Sequence, residues 1–219
     1  MHVRGISGEM RLPDQSDYWD RGAAKTFTHP LADDFLAALR PGDRILDYGC
    51  GYGRSLAQLA GLGFAHTVGV DFSREMIARG RREQPDLDLR HIPKATLDEP
   101  DEGFDAALIL AVLTCIVGDD EQAIVIQELR RLLRPGGVLF ISDMPLQEDE
   151  RNRARYAEGV AHGLFGTFDT GDGGIVRHHA EDHMKSWLVG FEPISVKRID
   201  LTTMHGNPAT GVQLVARKA

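Results

Sequence analysis

The chain has 219 residues and a formal net charge of −8, so it lacks the basic face that a general nucleic-acid backbone binder needs. Its hydrophobic content of 42% is that of a globular protein with a core, and no run approaches the ~20 apolar residues of a membrane span. The N-terminus lacks the apolar core of a signal peptide, and Cys50 and Cys115 fit reduced thiols. We expect one cytoplasmic domain, monomer or homodimer, without nucleic-acid or membrane partners and without a metal site.

An N-terminal arm is predicted over residues 1–30. Residues 1–17 are polar and contain glycine and proline, whereas Tyr18 and Trp19 stand together among charged residues. These two aromatic residues fit an amphipathic segment that covers the edge of the core. They also fit a lid over a ligand, because aromatic faces attract cations.

Residues 44–54 (RILDYGCGYGR) predict a buried strand, a sharp turn and the start of a helix. Glycine on alternate positions allows positive φ and a close approach of a ligand to the backbone, and the helix presents free N–H groups. The spacing Gly-x-Gly-x-Gly differs from the dinucleotide fingerprint Gly-x-Gly-x-x-Gly. The carboxylate of Asp47 suits a cationic amine better than a pyrophosphate. A tight turn without a ligand is the alternative.

The second predicted strand, residues 67–71, also ends in an acid. Asp71 lies 24 positions after Asp47 (71 − 47), close to the spacing at which an acid beyond a glycine loop binds ribose hydroxyls. Alternatively, Asp71 is an acid near a helix N-terminus, because Ser73 and the residues after it begin a helix.

Strands are also predicted near residues 87–92, 104–110 and 138–141, with helices between successive strands. This alternation predicts an α/β fold, a Rossmann-like doubly wound sheet. We expect a cofactor-binding core over residues 31–143. A cap insert over 144–190 is predicted to hold a polar helix near 149–162, a glycine-rich loop 163–174 and a second helix. Two last strands follow within 191–219.

Residues 45–53, 68–73, 104–105 and 133–137 together resemble the motifs of the class I S-adenosylmethionine-dependent methyltransferases, over roughly residues 30–142. The resemblance implies seven strands, mostly parallel with the last strand antiparallel, and helices on both faces. It also implies S-adenosyl-L-methionine as methyl donor and S-adenosyl-L-homocysteine as product.

The resemblance implies roles for individual residues at the donor site. Asp47 and the glycines would hold the methionine part, Asp71 the ribose and Phe72 the adenine. After the third strand this chain has Lys94-Ala95, where many relatives have an acid and a small residue, so only backbone contacts are expected there. The expected cofactor-binding residues are Asp47, Gly49, Cys50, Gly51, Asp71, Phe72, Met76, Ala95, Ala111 and Tyr18.

Arg177, His178 and His179 follow the glycine-rich loop and are predicted to reach the acceptor. Successive side chains alternate in an extended segment, so only one histidine is expected to point inward, as a general base. Arg177 is predicted to hold an anionic acceptor; a surface arginine and a solvent-facing or capping histidine pair are the alternatives. The other expected acceptor contacts are Trp19, Leu113, Thr114, Met144 and His205.

The predicted function is therefore methyl transfer from S-adenosylmethionine to an O or N atom of a small-molecule acceptor. A non-catalytic S-adenosylmethionine-binding regulator or partner protein is the alternative. An NAD-dependent oxidoreductase is opposed by Asp47 and Arg54, and an RNA methyltransferase by the acidic composition.

Overall fold

The computed structural model describes residues 15–219. The first half of the predicted N-terminal arm, residues 1–14, lies outside the described residues. The strands are β1 Ile45–Tyr48, β2 Thr67–Asp71, β3 Asp88–His91, β4 Phe104–Leu110, β5 Leu133–Asp143, β6 Thr167–Asp169, β7 Ile175–Arg177, β8 Phe191–Thr202 and β9 Pro208–Lys218. The helices are α1 Ser16–Arg21, α2 Asp33–Ala38, α3 Arg54–Gly61, α4 Arg74–Glu83, α5 Asp119–Leu132, α6 Glu150–Glu158 and α7 Glu181–Ser186, with short 3-10 turns at Leu113–Cys115 and Gly159–His162.

Seven strands form one sheet in the order β3-β2-β1-β4-β5-β9-β8. Strands β1 to β5 pair in parallel, and β9 runs antiparallel between β5 and β8. The Rossmann-like sheet with an antiparallel last strand is confirmed. The order reverses at β1 and β4, which is where ligands bind in open α/β sheets, beyond the carboxyl ends of the strands.

The side chains of the central strands alternate between two hydrophobic cores. On β4, Ala107 and Ile109 belong to a core shared with α5 and α7, whereas Ala106 and Leu108 belong to a core shared with α2, α3 and α4. Burial on both faces explains why β4 reads as a continuous apolar run instead of an alternating one. Within residues 15–219, no helix combines the length and apolar character needed to cross a membrane.

The segment between β5 and β8 contains a β-hairpin where the sequence predicts a glycine-rich loop. Strands β6 and β7 pair antiparallel around a turn in which Gly171 and Gly173 have positive φ. Phe168 and Val176 from the hairpin pack on Tyr156 of α6. Strands of three residues are too short to show a pattern of alternation in the sequence, so only packing on α6 reveals them.

Candidate active site

A left-handed turn joins β1 to α3 at the carboxyl edge of the sheet. Gly49, Gly51 and Gly53 have φ of +78°, +56° and +84°. A Cβ added at Gly49 would lie 2.3 Å from a γ carbon of Val112, so both the backbone conformation and the available space require glycine there. The turn brings backbone close to the ends of β2 and β4.

The carboxylate of Asp71 stabilises this turn. Its Oδ2 accepts a hydrogen bond from Gly51 N at 2.8 Å, and its Oδ1 accepts one from Ser73 N, also at 2.8 Å. Burial raises its pKa, although these backbone hydrogen bonds act in the opposite direction. Each carboxylate oxygen can accept a further hydrogen bond, which leaves Asp71 able to bind hydroxyl groups of a ligand.

Asp47 lies buried at the end of β1, beside a small cavity that Arg54 also lines. Burial raises the pKa of Asp47 to about 7, and the positive charge of Arg54 offsets part of that rise. The Nε atom of Arg54 is buried and has no hydrogen-bond partner among residues 15–219. An acid and a guanidinium on one small cavity fit a ligand that carries both an amine and a carboxylate.

A wide cleft of about 770 Å³ extends from Asp71 along the ends of β2 and β3 toward α5. Phe72 is exposed on it, and Ala95 lies on its wall, where the carbonyl of Ala95 accepts a hydrogen bond from the Tyr48 hydroxyl at 2.8 Å. A smaller cavity joins this cleft to the glycine turn and is lined by Gly51 and Met76. Together these cavities form a continuous groove over the strand ends.

A separate cavity, of about 120 Å³, lies beside the β6–β7 hairpin, between the hairpin and the sheet edge. Ala111 and Cys115 line both this cavity and the groove that holds Asp71. Ala111 has φ of +54°, unusual for a residue with a side chain, and its N–H donates to Ser142 O at 2.8 Å. The cavity is walled by α1, the segment after it, α6, the hairpin and the β8–β9 turn.

Helix α1 lies against both the cavity beside the hairpin and the groove. Trp19 of α1 and Phe27 after it line the cavity beside the hairpin as well as the groove. On one side, Asp20 Oδ1 accepts hydrogen bonds from Ser73 Oγ at 2.6 Å and Glu75 N at 3.2 Å. This places α1 directly over the site instead of at a distant edge of the core.

On its other side, the α1 segment binds the β6–β7 hairpin. Lys25 Nζ lies 2.7 Å from Asp172 Oδ2, and the Tyr18 hydroxyl donates to Asp172 Oδ1 at 3.0 Å. The ring of Tyr18 packs against Gly174, where an added Cβ would lie 2.5 Å from it. The segment therefore spans the site between two anchors, α4 and the hairpin.

Comparisons with known proteins agree with this geometry. A methyltransferase-domain family model matches residues 45–137. A demethylmenaquinone methyltransferase of Clavibacter sepedonicus is 31% identical over 174 residues, which cover 74% of this chain and 69% of that protein. The chain belongs to the class I S-adenosylmethionine-dependent methyltransferases.

Solved structures of this methyltransferase class have the same fold. The crystal structure of an S-adenosylmethionine-dependent methyltransferase from Methanosarcina mazei matches with a TM-score of 0.82 at 25% identity and covers 87% of this chain and 99% of that one. A Burkholderia thailandensis 1,6-didemethyltoxoflavin-N1-methyltransferase matches with a TM-score of 0.62 at 21% identity, covering 92% of this chain and 78% of that one. The chain spans 40 to 60% of the length of several other curated relatives.

Most residues predicted to bind the donor line the groove or its small extension beside Asp47. Cys50 also lines the small cavity beside Asp47, while its thiol packs toward Gly69, where an added Cβ would lie 2.8 Å from its sulfur. One residue differs. Tyr18 contacts Lys25 and the hairpin instead of the groove, so its predicted donor contact is corrected to an anchoring contact of α1. The residues that do line these cavities are Asp47, Gly49, Cys50, Gly51, Asp71, Phe72, Met76, Ala95 and Ala111.

His178 and His179 point to opposite sides of the hairpin strand. His178 lines the cavity beside the hairpin, and its Nδ1 lies 2.7 Å from the hydroxyl of Tyr156. Burial, with the charges of Arg155 and Arg151, lowers the pKa of His178 to about 3. His178 therefore stays neutral across physiological pH, and a group with so low a pKa is a weak general base.

His179 faces away from the cavity, toward α5 and α7. Its Nε2 lies 2.8 Å from Nε2 of Gln122, and its ring packs on His183 and Trp187. The tentative base role is corrected for this residue, because alternation along the strand turns its imidazole into the space beside α5. Burial lowers its pKa to about 3 as well.

Arg177 lies on the same side of the strand as His179, so it does not reach the cavity beside the hairpin. Its Nη1 donates to Val117 O at 3.0 Å and forms an ion pair with Asp119, and its Nε donates to Phe165 O at 3.3 Å. The prediction that Arg177 holds an acceptor is corrected: the guanidinium fastens the hairpin to the start of α5. Leu113, fully buried in the core shared with α5, is likewise removed from the acceptor contacts.

The remaining acceptor predictions do meet at this cavity, which Trp19, Thr114, Met144 and His205 all line. Sequence reasoning missed other residues there because their signals were weak. Phe27 and His29 lie in a segment without periodicity. The arginine pair of α6, at i and i+4, lies in the stretch that the sequence predicts only as a polar helix. The missed lining residues include Phe27, His29, Arg151, Arg155 and Phe168.

Proposed function

We propose that the protein transfers a methyl group from S-adenosylmethionine to an O or N atom of a small-molecule acceptor and releases S-adenosylhomocysteine. The observation that carries this proposal is the junction at Ala111 and Cys115. There the groove that holds Asp71 meets a separate, mostly apolar cavity, and Ala111 also lines the small extension beside Asp47. Two cavities that share a wall suit a donor and an acceptor whose reacting atoms must be adjacent.

The donor, when bound, supplies a methyl group already activated on a sulfonium sulfur. We propose that Asp47 binds the amino group of the donor and Arg54 its carboxylate, because these two side chains share the small cavity beside the glycine turn. Asp71 would accept hydrogen bonds from the ribose, and Phe72, exposed on the wide cleft, would pack on the adenine.

The chain's own contribution would be alignment and exclusion of water. Such positioning accounts for a large share of the rate when a donor is intrinsically reactive. His178 is too weak a base to remove a proton from a poorly acidic acceptor at neutral pH. The proposal therefore assigns His178 to positioning, through its contact with Tyr156, and favours acceptors that lose a proton readily.

The names of relatives support a small-molecule acceptor. One relative is a demethylmenaquinone methyltransferase, and one structural neighbour was crystallised with 1,6-didemethyltoxoflavin and S-adenosylhomocysteine. The net charge of −8 adds to this, because an acidic chain is a poor match for a nucleic-acid acceptor.

The test is a two-part measurement on the full chain. Thermal unfolding is followed with S-adenosylhomocysteine and, separately, with NADH; the first should raise the midpoint by mass action. Mixtures of small acceptors are then incubated with methyl-labelled S-adenosylmethionine and screened for label transfer. Stabilisation without transfer to any acceptor would indicate a donor-binding protein, and stabilisation by NADH alone would refute the proposal. Asp71→Ala serves as the control that weakens donor binding.

A further inference from the structure

The cavity beside the hairpin, which the proposed function assigns to the acceptor, is lined by positive charges that no acid among the described lining residues balances. Arg151 and Arg155 of α6 both line it, and no described residue that lines it is an aspartate or a glutamate. The chain as a whole has a net charge of −8, so a cationic, acid-free cavity departs from the average surface. An unbalanced charge in a confined cavity attracts an ion of opposite sign.

The nearest acid along the helix is already engaged. Asp149 begins α6: its Oδ1 accepts from Asn152 N at 3.1 Å, and its Oδ2 accepts from Asn152 Nδ2 at 2.6 Å. Arg151 Nε remains 4.0 Å from Asp149 Oδ1, and the guanidinium of Arg155 has no hydrogen bond or ion pair to any residue between 15 and 219; its described partner is the ring of Phe168. Like charges one helical turn apart repel each other, so α6 itself gains nothing from this pair.

Arg155 is held against an aromatic wall. Its guanidinium carbon lies 5.0 Å from the ring centroid of Phe168, which also lines the cavity together with Trp19 and Phe27. Burial, and then repulsion from Arg151, lowers the pKa of Arg155. The guanidinium is thus partly desolvated, which strengthens any charge-assisted hydrogen bond that it makes.

The size of the cavity limits its occupant. Its volume is about 120 Å³, and a cavity of about 150 Å³ lined by aliphatic and aromatic side chains binds benzene. A cavity of this size holds no more than one aromatic ring, and a polycyclic molecule would have to displace the walls.

We propose that the acceptor is a monocyclic aromatic carboxylate whose carboxylate group binds Arg155, with Arg151 adding positive charge at the mouth. This identification rests on the proposed methyl transfer. One desolvated guanidinium matches one planar, singly charged carboxylate by a bidentate contact. The ring packs on Phe168 and Trp19, and the atom to be methylated faces Ala111, where the donor groove opens.

In the proposed transfer, one bond forms at the methyl carbon and one bond breaks. A lone pair of the acceptor's oxygen or nitrogen forms the new bond to the methyl carbon while the bond from that carbon to sulfur breaks. The bonding pair stays on sulfur and leaves it a neutral thioether. A proton carried by the attacking atom is released to water.

The experiment measures binding of benzoate, hydroxybenzoates and aminobenzoates to the chain saturated with S-adenosylhomocysteine, each beside its uncharged amide. At least one carboxylate should bind about 10-fold or more tightly than its amide. Arg155→Met, which keeps an apolar stem against Phe168, should weaken that carboxylate by about 10- to 100-fold, as expected for hydrogen bonds to a charged group. The matched control is Arg153→Met, because Arg153 is exposed on the same helix and does not line the cavity; it should change nothing.

Urea midpoints and S-adenosylhomocysteine affinity, measured on each variant, should stay near those of the unaltered chain. If the chain does not bind S-adenosylhomocysteine, the proposed function fails. If it does, and every carboxylate binds no better than its amide, the acceptor class alone is wrong. Equal losses in Arg153→Met and Arg155→Met, or tighter binding of phenyl phosphate than of all the carboxylates, would also overturn the proposal.

Discussion

Gly49→Ala should be among the most damaging small changes in this chain, and the structure gives its magnitude. A residue with a side chain in the left-handed region costs about 1–2 kcal/mol, and Gly49 has φ of +78°. The new Cβ would lie 2.3 Å from one γ carbon of Val112 and 3.3 Å from the other, and overpacking of this kind adds about 1–3 kcal/mol. The free energy of unfolding should therefore fall by about 2–5 kcal/mol.

Three further variants, Gly42→Ala, Val112→Ala and the double variant, separate the backbone contribution from the packing contribution. Gly42 has φ of +96°, and a Cβ there meets nothing within 4 Å, so Gly42→Ala should show only the backbone cost of about 1–2 kcal/mol. Combining Gly49→Ala with Val112→Ala removes both clashing γ carbons, so the double-mutant cycle should show a favourable coupling of about 1–3 kcal/mol.

Urea unfolding, followed by circular dichroism at a constant m value, measures all four variants. The reasoning would be refuted if Gly49→Ala cost no more than Gly42→Ala, or if Val112→Ala left the cost of Gly49→Ala unchanged. Affinity for S-adenosylhomocysteine gives an independent readout, because Gly49 and Val112 line the same groove. Gly49→Ala should weaken that affinity, and Gly42→Ala should leave it intact.

Affinity for S-adenosylhomocysteine should also fall as pH drops below about 7, because the pKa of Asp47 is near 7 in the free chain and only its carboxylate form pairs with an ammonium group. Binding at about pH 6 should therefore release a proton. Calorimetry in two buffers measures that proton, and Asp47→Asn should abolish the dependence. Asp71→Ala should cost about 1.5–3 kcal/mol of affinity, with a smaller loss for the 2′,3′-dideoxy form of the ligand; equal losses would remove the ribose contact. Asp172→Asn should speed release of S-adenosylhomocysteine in stopped-flow measurements, because Lys25 loses its ion pair, and an unchanged rate would contradict an anchoring role.

The central sheet could be predicted because its signals are local. Continuous apolar strands, acids at strand ends and glycines on alternate positions each act within a few residues, and Asp71 hydrogen-bonds Gly51 as part of the same turn. The backbone requirement for glycine at position 49 is visible in the sequence. The atom that makes the position so restrictive is not, because Val112 comes from the distant end of β4.

The acceptor side was harder to predict because its residues take their directions from distant contacts. The alternation rule states that His178 and His179 face opposite sides but not which of them faces the cavity. That choice follows from the pairing of the hairpin and from the ion pair of Arg177 with Asp119. Tyr18 likewise takes its direction from Asp172, more than a hundred residues further along the chain.

Trp19 and Phe27 form a wall common to both cavities, and this has a consequence for turnover kinetics. A wall shared in this way cannot open toward one occupant while it stays closed over the other. Where opening of this wall limits release, the demethylated donor and the methylated product of the proposed reaction should depart with one common rate constant. A tightly held product would then keep the wall closed and slow exchange of the nucleoside.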